Sequence, residues 1–204
     1  SNKADAAGVS KDLKSLNEMS GNVTSDNIND FNSKVDTFLN KLSFHDSLTS
    51  KLQTKFGVES LAKLKGKVDS VGLSGDLAQV EGLSNHISVE NLQECNDKVD
   101  VFLSKLSYHE VLNDTQAFVS NSKLNDFTTV NQLKDTLVHQ QTEFPSSDGE
   151  AVSGRTASDY DNRLVGLKQT VQSFKTAFAN ELSAPDSKLK QDISVIKQNV
   201  IKSN

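Results

Sequence analysis

The sequence predicts an all-α protein: an elongated helical bundle containing an internal duplication, plus a C-terminal helical hairpin. Three observations lead there. The stretch Lys34 to Leu48, KVDTFLNKLSFHDSL, returns sixty-four positions later at Lys98 to Leu112 as KVDVFLSKLSYHEVL. Apolar residues recur at steps of three and four along most of the chain, which is the spacing of one helical face. Alternating β-branched runs bounded by turns, the mark of strands, are absent. An echo at a fixed period reads as a copied structural unit. The composition agrees, since a hydrophobic fraction of 35% is low for a thick core but sufficient for helices that each bury one narrow seam.

The elements follow in order. Residues 1–8, SNKADAAG, read as a disordered segment outside the fold, with the leading Ser-Asn as a cleavage scar. Residues 9–204 read as a single α-helical domain: repeat unit one 9–72, repeat unit two 73–136, a mobile loop 144–158 and a hairpin 159–203. Each repeat carries three helical segments. The first is capped by Ser10 or Ser74 with Asp12 or Asp76 two residues on, a carboxylate placed at the positive end of the helix dipole. Its stripe is Leu13, Leu16, Met19, repeated as Leu77, Val80, Leu83. The second is capped by Thr24 or Ser88 and carries Ile28, Phe31, Val35, Phe38, Leu39, Leu42, repeated as Leu92, Cys95, Val99, Phe102, Leu103, Leu106. At about 1.5–3 kcal/mol for each side chain fully buried, this is the strongest core helix of each unit.

A third segment is expected to open at Ser43 or Ser107, where Ser-Phe-His-Asp and Ser-Tyr-His-Glu have the form of a capping box. The first copy then breaks near Gly57 and resumes through Leu61, Leu64, Val68 and Val71. The second breaks around Asn121 to Asp126 and resumes at Val130, Leu133, Leu137. Pro145, two glycines and several serines make 144–158 a loop. Tyr160, Leu164, Leu167, Val171, Phe174, Phe178 and Leu182 form the longest stripe. Pro185 ends it, and Leu189, Ile193, Ile196 and Val200 form the hairpin's second arm. The few apolar residues of each repeat favour one core shared by both.

Charge and chemistry narrow the function. A net charge of −5 and a pI near 5.4 speak against a general nucleic-acid binder. The lone Cys95 allows no internal disulfide and leaves the compartment open. No apolar run approaches the roughly 20 residues of a membrane span. His45 and His109 occupy equivalent positions, each followed by an acid, but no His lies three or four residues from another His or Cys. A helix therefore offers no pair of such ligands on one turn, and no metal or other cofactor is expected. Cys95 stands where the first copy has Phe31, which makes it core filler rather than a nucleophile. No phosphate loop or carboxylate pair suits catalysis, so the chain reads as non-enzymatic.

One local feature suits binding. Lys51, Lys55, Lys63, Lys65 and Lys67 form a basic cluster in the first repeat that the second lacks. Such a patch suits sialylated or sulfated glycan, or acidic lipid headgroups; the plainer alternative is a solvated helix face. The sequons at Asn22 and Asn113 are no more than a chain so rich in Ser and Thr supplies by chance.

A Ser/Asn/Thr-rich exterior, a chemically empty interior and a final Lys202-Ser203-Asn204 point to a cell-surface or secreted module acting by adhesion or antigenic display. A small-residue end of this kind is what a lipid-anchor attachment site looks like. In length, cysteine poverty and helical makeup the whole chain resembles the lipid-anchored merozoite surface antigens of Babesia and relatives. That resemblance implies erythrocyte binding and an extracellular setting. It is one of composition, so no functional residue is carried over. The partners it suggests are a host-cell surface protein, a glycan or an anionic lipid headgroup. The alternatives are an intracellular helical scaffold that accepts a partner helix, and a carrier of a small apolar ligand.

Overall fold

A computed structural model describes residues 3–121, 127–146, 154–184 and 201. Among them there is no strand, and the fold is a helical bundle. In chain order the helices are α1 (Lys3–Ala6), α2 (Ser10–Ser20), α3 (Ile28–Phe56), α4 (Lys65–Ser70), α5 (Ser74–Gly82), α6 (Leu92–Asn121), α7 (Thr128–Glu143) and α8 (Ala157–Ser183). Short 3₁₀ turns at Leu61–Leu64 and Leu83–His86 lead into α4 and extend α5.

Two expectations change. The capping boxes at Ser43 and Ser107 lie inside α3 and α6, which run unbroken for 29 and 30 residues. Neither Gly nor Pro interrupts them, and the stripe continues in register through Leu48, Leu52 and Phe56, so nothing stops the helix before Gly57. There Gly57, at φ 65°, donates its N–H to the Gln53 carbonyl at 3.0 Å while Val58 bonds back to Leu52. The Gly57 N–H on the carbonyl four residues back makes this an αL stop, which a left-handed glycine makes cheap. The chain also enters the fold earlier than residue 9. Lys3–Ala6 is a helical turn in which Ala4 is buried, and Val9 is buried behind it.

The sixty-four-residue offset recurs in the hydrogen bonds. Ser10 and Ser74 both donate to an aspartate five residues back, Asp5 and Asp69. Gly8 and Gly72 both have positive φ. Neither serine is an N-cap; Val9 and Leu73 hold that position. Before each long helix, Asn27 and Asn91 accept from the N–H of Thr24 and Ser88, and donate to the carbonyls of Asn22 and His86. The long helices thus start four residues after the expected caps, because the Asn side chain organises the turn instead.

The chain's contacts fall into two compact units: Ser1–Leu106 with Ser147–Tyr160, and Ser107–Ser146 with Asp161–Asn204. The division lies within α6 rather than between the repeats 9–72 and 73–136. In the first unit one hydrophobic cluster joins Phe44, Leu52, Leu64 and Val68 to Leu77, Val80, Val99, Phe102 and Leu103. Residues of 9–72 and residues of 73–136 therefore contribute to one cluster.

The second unit holds the end of α6, α7 and most of α8. Tyr108 is buried and donates to Gln140 Oε1 at 2.7 Å, with Phe144 edge-on at 6.0 Å. Arg163 grips Glu143 through two nitrogens, at 2.9 and 3.0 Å, and lies over the Phe144 ring. The α8 cap is reciprocal: Thr156 N–H bonds to Asp159, and Asp159 N–H to the Thr156 hydroxyl. The segment 147–153 of the expected loop and the hairpin arm from Asp186 lie outside the described residues.

The N-terminus of α7 has no capping side chain of its own. Glu181 of α8 supplies one, accepting from Thr128 N–H, Thr129 N–H and the Thr129 hydroxyl at 3.2, 3.2 and 2.6 Å. The Thr129 hydroxyl does most to hold the Glu181 carboxyl below its ordinary pKa, and the two backbone donors add to it. A carboxylate depressed by folding contributes stability above its unfolded pKa and loses it as pH falls through the folded one. Glu181→Ala is therefore expected to lower the denaturant midpoint at pH 7, and the gap from wild type should close on acidification. Circular dichroism melts in urea at stepped pH check this; a gap independent of pH would refute it.

Candidate binding face

The two long helices can be compared position by position. In α6, Val101 through Leu106 are all buried, Ser104 and Lys105 included. Lys105 has no solvent access and reaches Asp76 of α5 at 2.9 Å. Sixty-four residues earlier the same pair is Lys41 of α3 and Asp12 of α2, also 2.9 Å apart but with side chains 22% and 45% exposed. The pairs Lys34–Asp30 and Lys98–Glu94 match in the same way. Each short helix is therefore fastened to its long partner by an Asp–Lys bridge, open in the first hairpin (α2 with α3) and buried in the second (α5 with α6).

The apolar stripe follows the same division. Val99, Phe102, Leu103 and Leu106 are at most 1% exposed. Their counterparts Val35, Phe38 and Leu42 are half-buried, and Leu39 is 52% exposed. Val35, Leu39 and Leu42 follow one another on one helical row, and Asp36 and Asn40 flank it. Asp36 is exposed and forms no ion pair among the described residues. Between α2 and α3 lies an open groove of about 210 Å³, lined by Ser15, Leu16, Ser33, Thr37, Phe38 and the Asp12–Lys41 bridge. The first hairpin thus presents a continuous apolar row with one free acid at its edge.

The lysine cluster read from the sequence is divided. Lys51 pairs with Asp100 at 2.8 Å, and Lys55 donates to Ser104 Oγ at 3.1 Å. Lys67 sits over the Phe56 ring, 5.5 Å from its centre. Lys63 and Lys65 are exposed. Three of the five cations therefore have work inside the first unit, where they bind acceptors on α6 or cover an aromatic face.

The other polar candidates lie apart. Cys95 is buried, and burial pushes its thiol above the ordinary value, which keeps it protonated and unreactive. His109 is buried beside the Tyr108 ring, His45 is half-buried, and His139 and His86 are exposed. Among the described residues no group of three or more His, Cys, Asp or Glu could hold a metal ion, and no helix is long and apolar enough to cross a membrane. Asp36, Asn40 and Leu39 were not singled out from sequence as a site. The signal was present in the identity of Asp36 with Asp100, but only burial separates the two copies.

Comparison with known protein families, with curated proteins and with solved structures finds no match to this chain.

The two hairpins give an internal control. Lys105→Met strands a buried carboxylate and is expected to cost about 3–5 kcal/mol, whereas Lys41→Met removes a partly exposed pair worth about 1 kcal/mol or less. Leu103→Ala should cost about 2–5 kcal/mol and Leu39→Ala about 0.5 kcal/mol or less. Chemical denaturation of the four variants measures this. Equal losses at matched positions would show that the first face is core after all.

Proposed function

We propose that this protein is a non-enzymatic helical interaction module, and that the row Val35, Leu39, Leu42 of α3 is where a protein partner docks. One observation supports the reading: Leu39 is exposed and Val35 and Leu42 are only half-buried, while their counterparts Leu103, Val99 and Leu106 are buried in the cluster that α3 closes over. Scattered exposed hydrophobics are ordinary on a protein surface; a contiguous row at positions built for burial is the mark of a docking surface. The partner is a protein rather than a glycan or lipid headgroup, because the row is apolar with an acid at its edge and three of the five clustered lysines are engaged elsewhere. The Ser-, Thr- and Asn-rich composition favours a cell-surface or secreted setting, with adhesion to a host cell as the outcome.

The test is photo-crosslinking on intact red cells, with p-benzoylphenylalanine placed at position 39 and, as control, at position 65. The expected result is one discrete protein adduct from position 39 and none from position 65. No adduct at 39, equal adducts from both positions, or an adduct consisting only of two copies of this chain would each refute the reading.

A further inference from the structure

The face that stands open in the first hairpin is occupied in the second. We propose that Val35, Leu39 and Leu42, with Asp36 and Asn40 beside them, receive an amphipathic helix of another protein bearing the pattern Phe-x3-Leu-x2-Lys-Leu-x2-Lys-Phe, its lysines meeting Asp36 and Asn40. This rests on the docking reading above and adds the chemistry of what docks.

The pattern comes from the helix that covers α6. Phe44, Leu48, Leu52 and Phe56, at steps of four along α3, pack into the cluster that holds Val99, Leu103 and Leu106. At the edge of that stripe Lys51 meets Asp100 at 2.8 Å and Lys55 meets Ser104 at 3.1 Å. The receiving side therefore consists of an apolar row, a carboxylate one residue past its first member, and an oxygen acceptor four residues beyond that. The first hairpin carries the same set in the same register: Val35, Leu39 and Leu42 for the row, Asp36 for Asp100, and Asn40 for Ser104. An amide oxygen accepts from an ammonium as a hydroxyl does. The acid has a further function in such a groove, since it selects helices with a cation at that step and rejects acidic ones.

A second copy of this chain is a poor occupant. Its own Phe44–Phe56 segment is committed to its own α6, where Phe44 and Leu52 are 2% and 1% exposed. Lending that segment to a neighbour would open one core to close another. A helix from a separate protein carries no such cost.

The probe is a fluorescent peptide of the sequence Ser43 to Gly57, SFHDSLTSKLQTKFG, titrated with the full chain at low ionic strength and read by anisotropy. Saturable one-to-one binding is expected. Asp36→Lys in the protein, or Lys51→Glu in the peptide, should each weaken it by about fivefold to tenfold. Combining Asp36→Lys protein with Lys51→Glu peptide should restore it, a rescue that a misfolded variant could not give. Absence of binding overturns the proposal. So does binding indifferent to Asp36→Lys, which would mean the peptide had displaced its counterpart on α6. A position-39 adduct on cells together with a silent peptide would leave the docking site standing and refute the helix chemistry alone.

Discussion

A lysine with no access to water must find its counter-charge inside the protein, and Lys105 finds it in Asp76. Much of the first unit follows from that requirement. The pair fixes the distance and register of α5 against α6, because an ammonium and a carboxylate must meet at 2.9 Å while the apolar row beside them closes over Val99, Phe102 and Leu106. A wholly apolar helix surface would allow slippage by a turn. One buried charge pair makes every such slip cost several kcal/mol. Ser104, buried on the same helix, repeats the logic at smaller scale by accepting a hydrogen bond from Lys55. The central stretch of α6 is thus buried on all sides without being apolar on all sides, and its neighbours are chosen by chemistry as well as by shape.

Much of this was legible in the sequence. The all-helical class, the stripes, the stop at Gly57 and the helix through Leu133 and Leu137 all follow from periodicity and from where glycine falls. So did the correspondence of Lys41 with Lys105 and Asp12 with Asp76, as paired identities. The helix lengths were misread. Ser-x-x-Asp and Ser-x-x-Glu fit a capping box on paper, but they cap nothing when the preceding turn already supplies the carbonyls those N–H groups need. The Asn turns at Asn27 and Asn91 do not stand out because Thr24 and Ser88 come first and each carries an acid two residues on, although Asn caps a helix as well as Ser does. The helix entry at Lys3 was missed for a different reason. KADAAGVS and KVDSVGLS share only four of eight residues, and the glycine and serine that matter are common everywhere.

The candidate face was the least legible part. Both copies present the same row of apolar side chains, so any rule based on residue type makes both rows core. What distinguishes them is whether a helix among the described residues covers the row, which is a property of the whole fold. The lysine cluster is the mirror case. A run of cations looks like a patch in one dimension, but its members stand on different elements: Lys51 and Lys55 on α3 bind acceptors of α6, while Lys63 on the 3₁₀ turn and Lys65 at the start of α4 are exposed.

The magnitude of what is left exposed sets the kind of binding this face can support. Fully burying a Val or Leu is worth about 1.5–3 kcal/mol, and Val35, Leu42 and Phe38 have already taken part of that. Closing a helix over the rest of the row releases on the order of 3–5 kcal/mol from this side and about as much again from the partner's own Phe and Leu side chains, with an edge ion pair adding less than about 1 kcal/mol. Ordering a free helix then takes back several kcal/mol. A single site of this quality holds a partner weakly and lets it go. Lasting attachment through it would need many copies side by side, where effective concentration multiplies a weak contact by orders of magnitude. A protein displayed densely on a surface would meet that condition and one free in solution would not, so a weak face fits the surface setting proposed above.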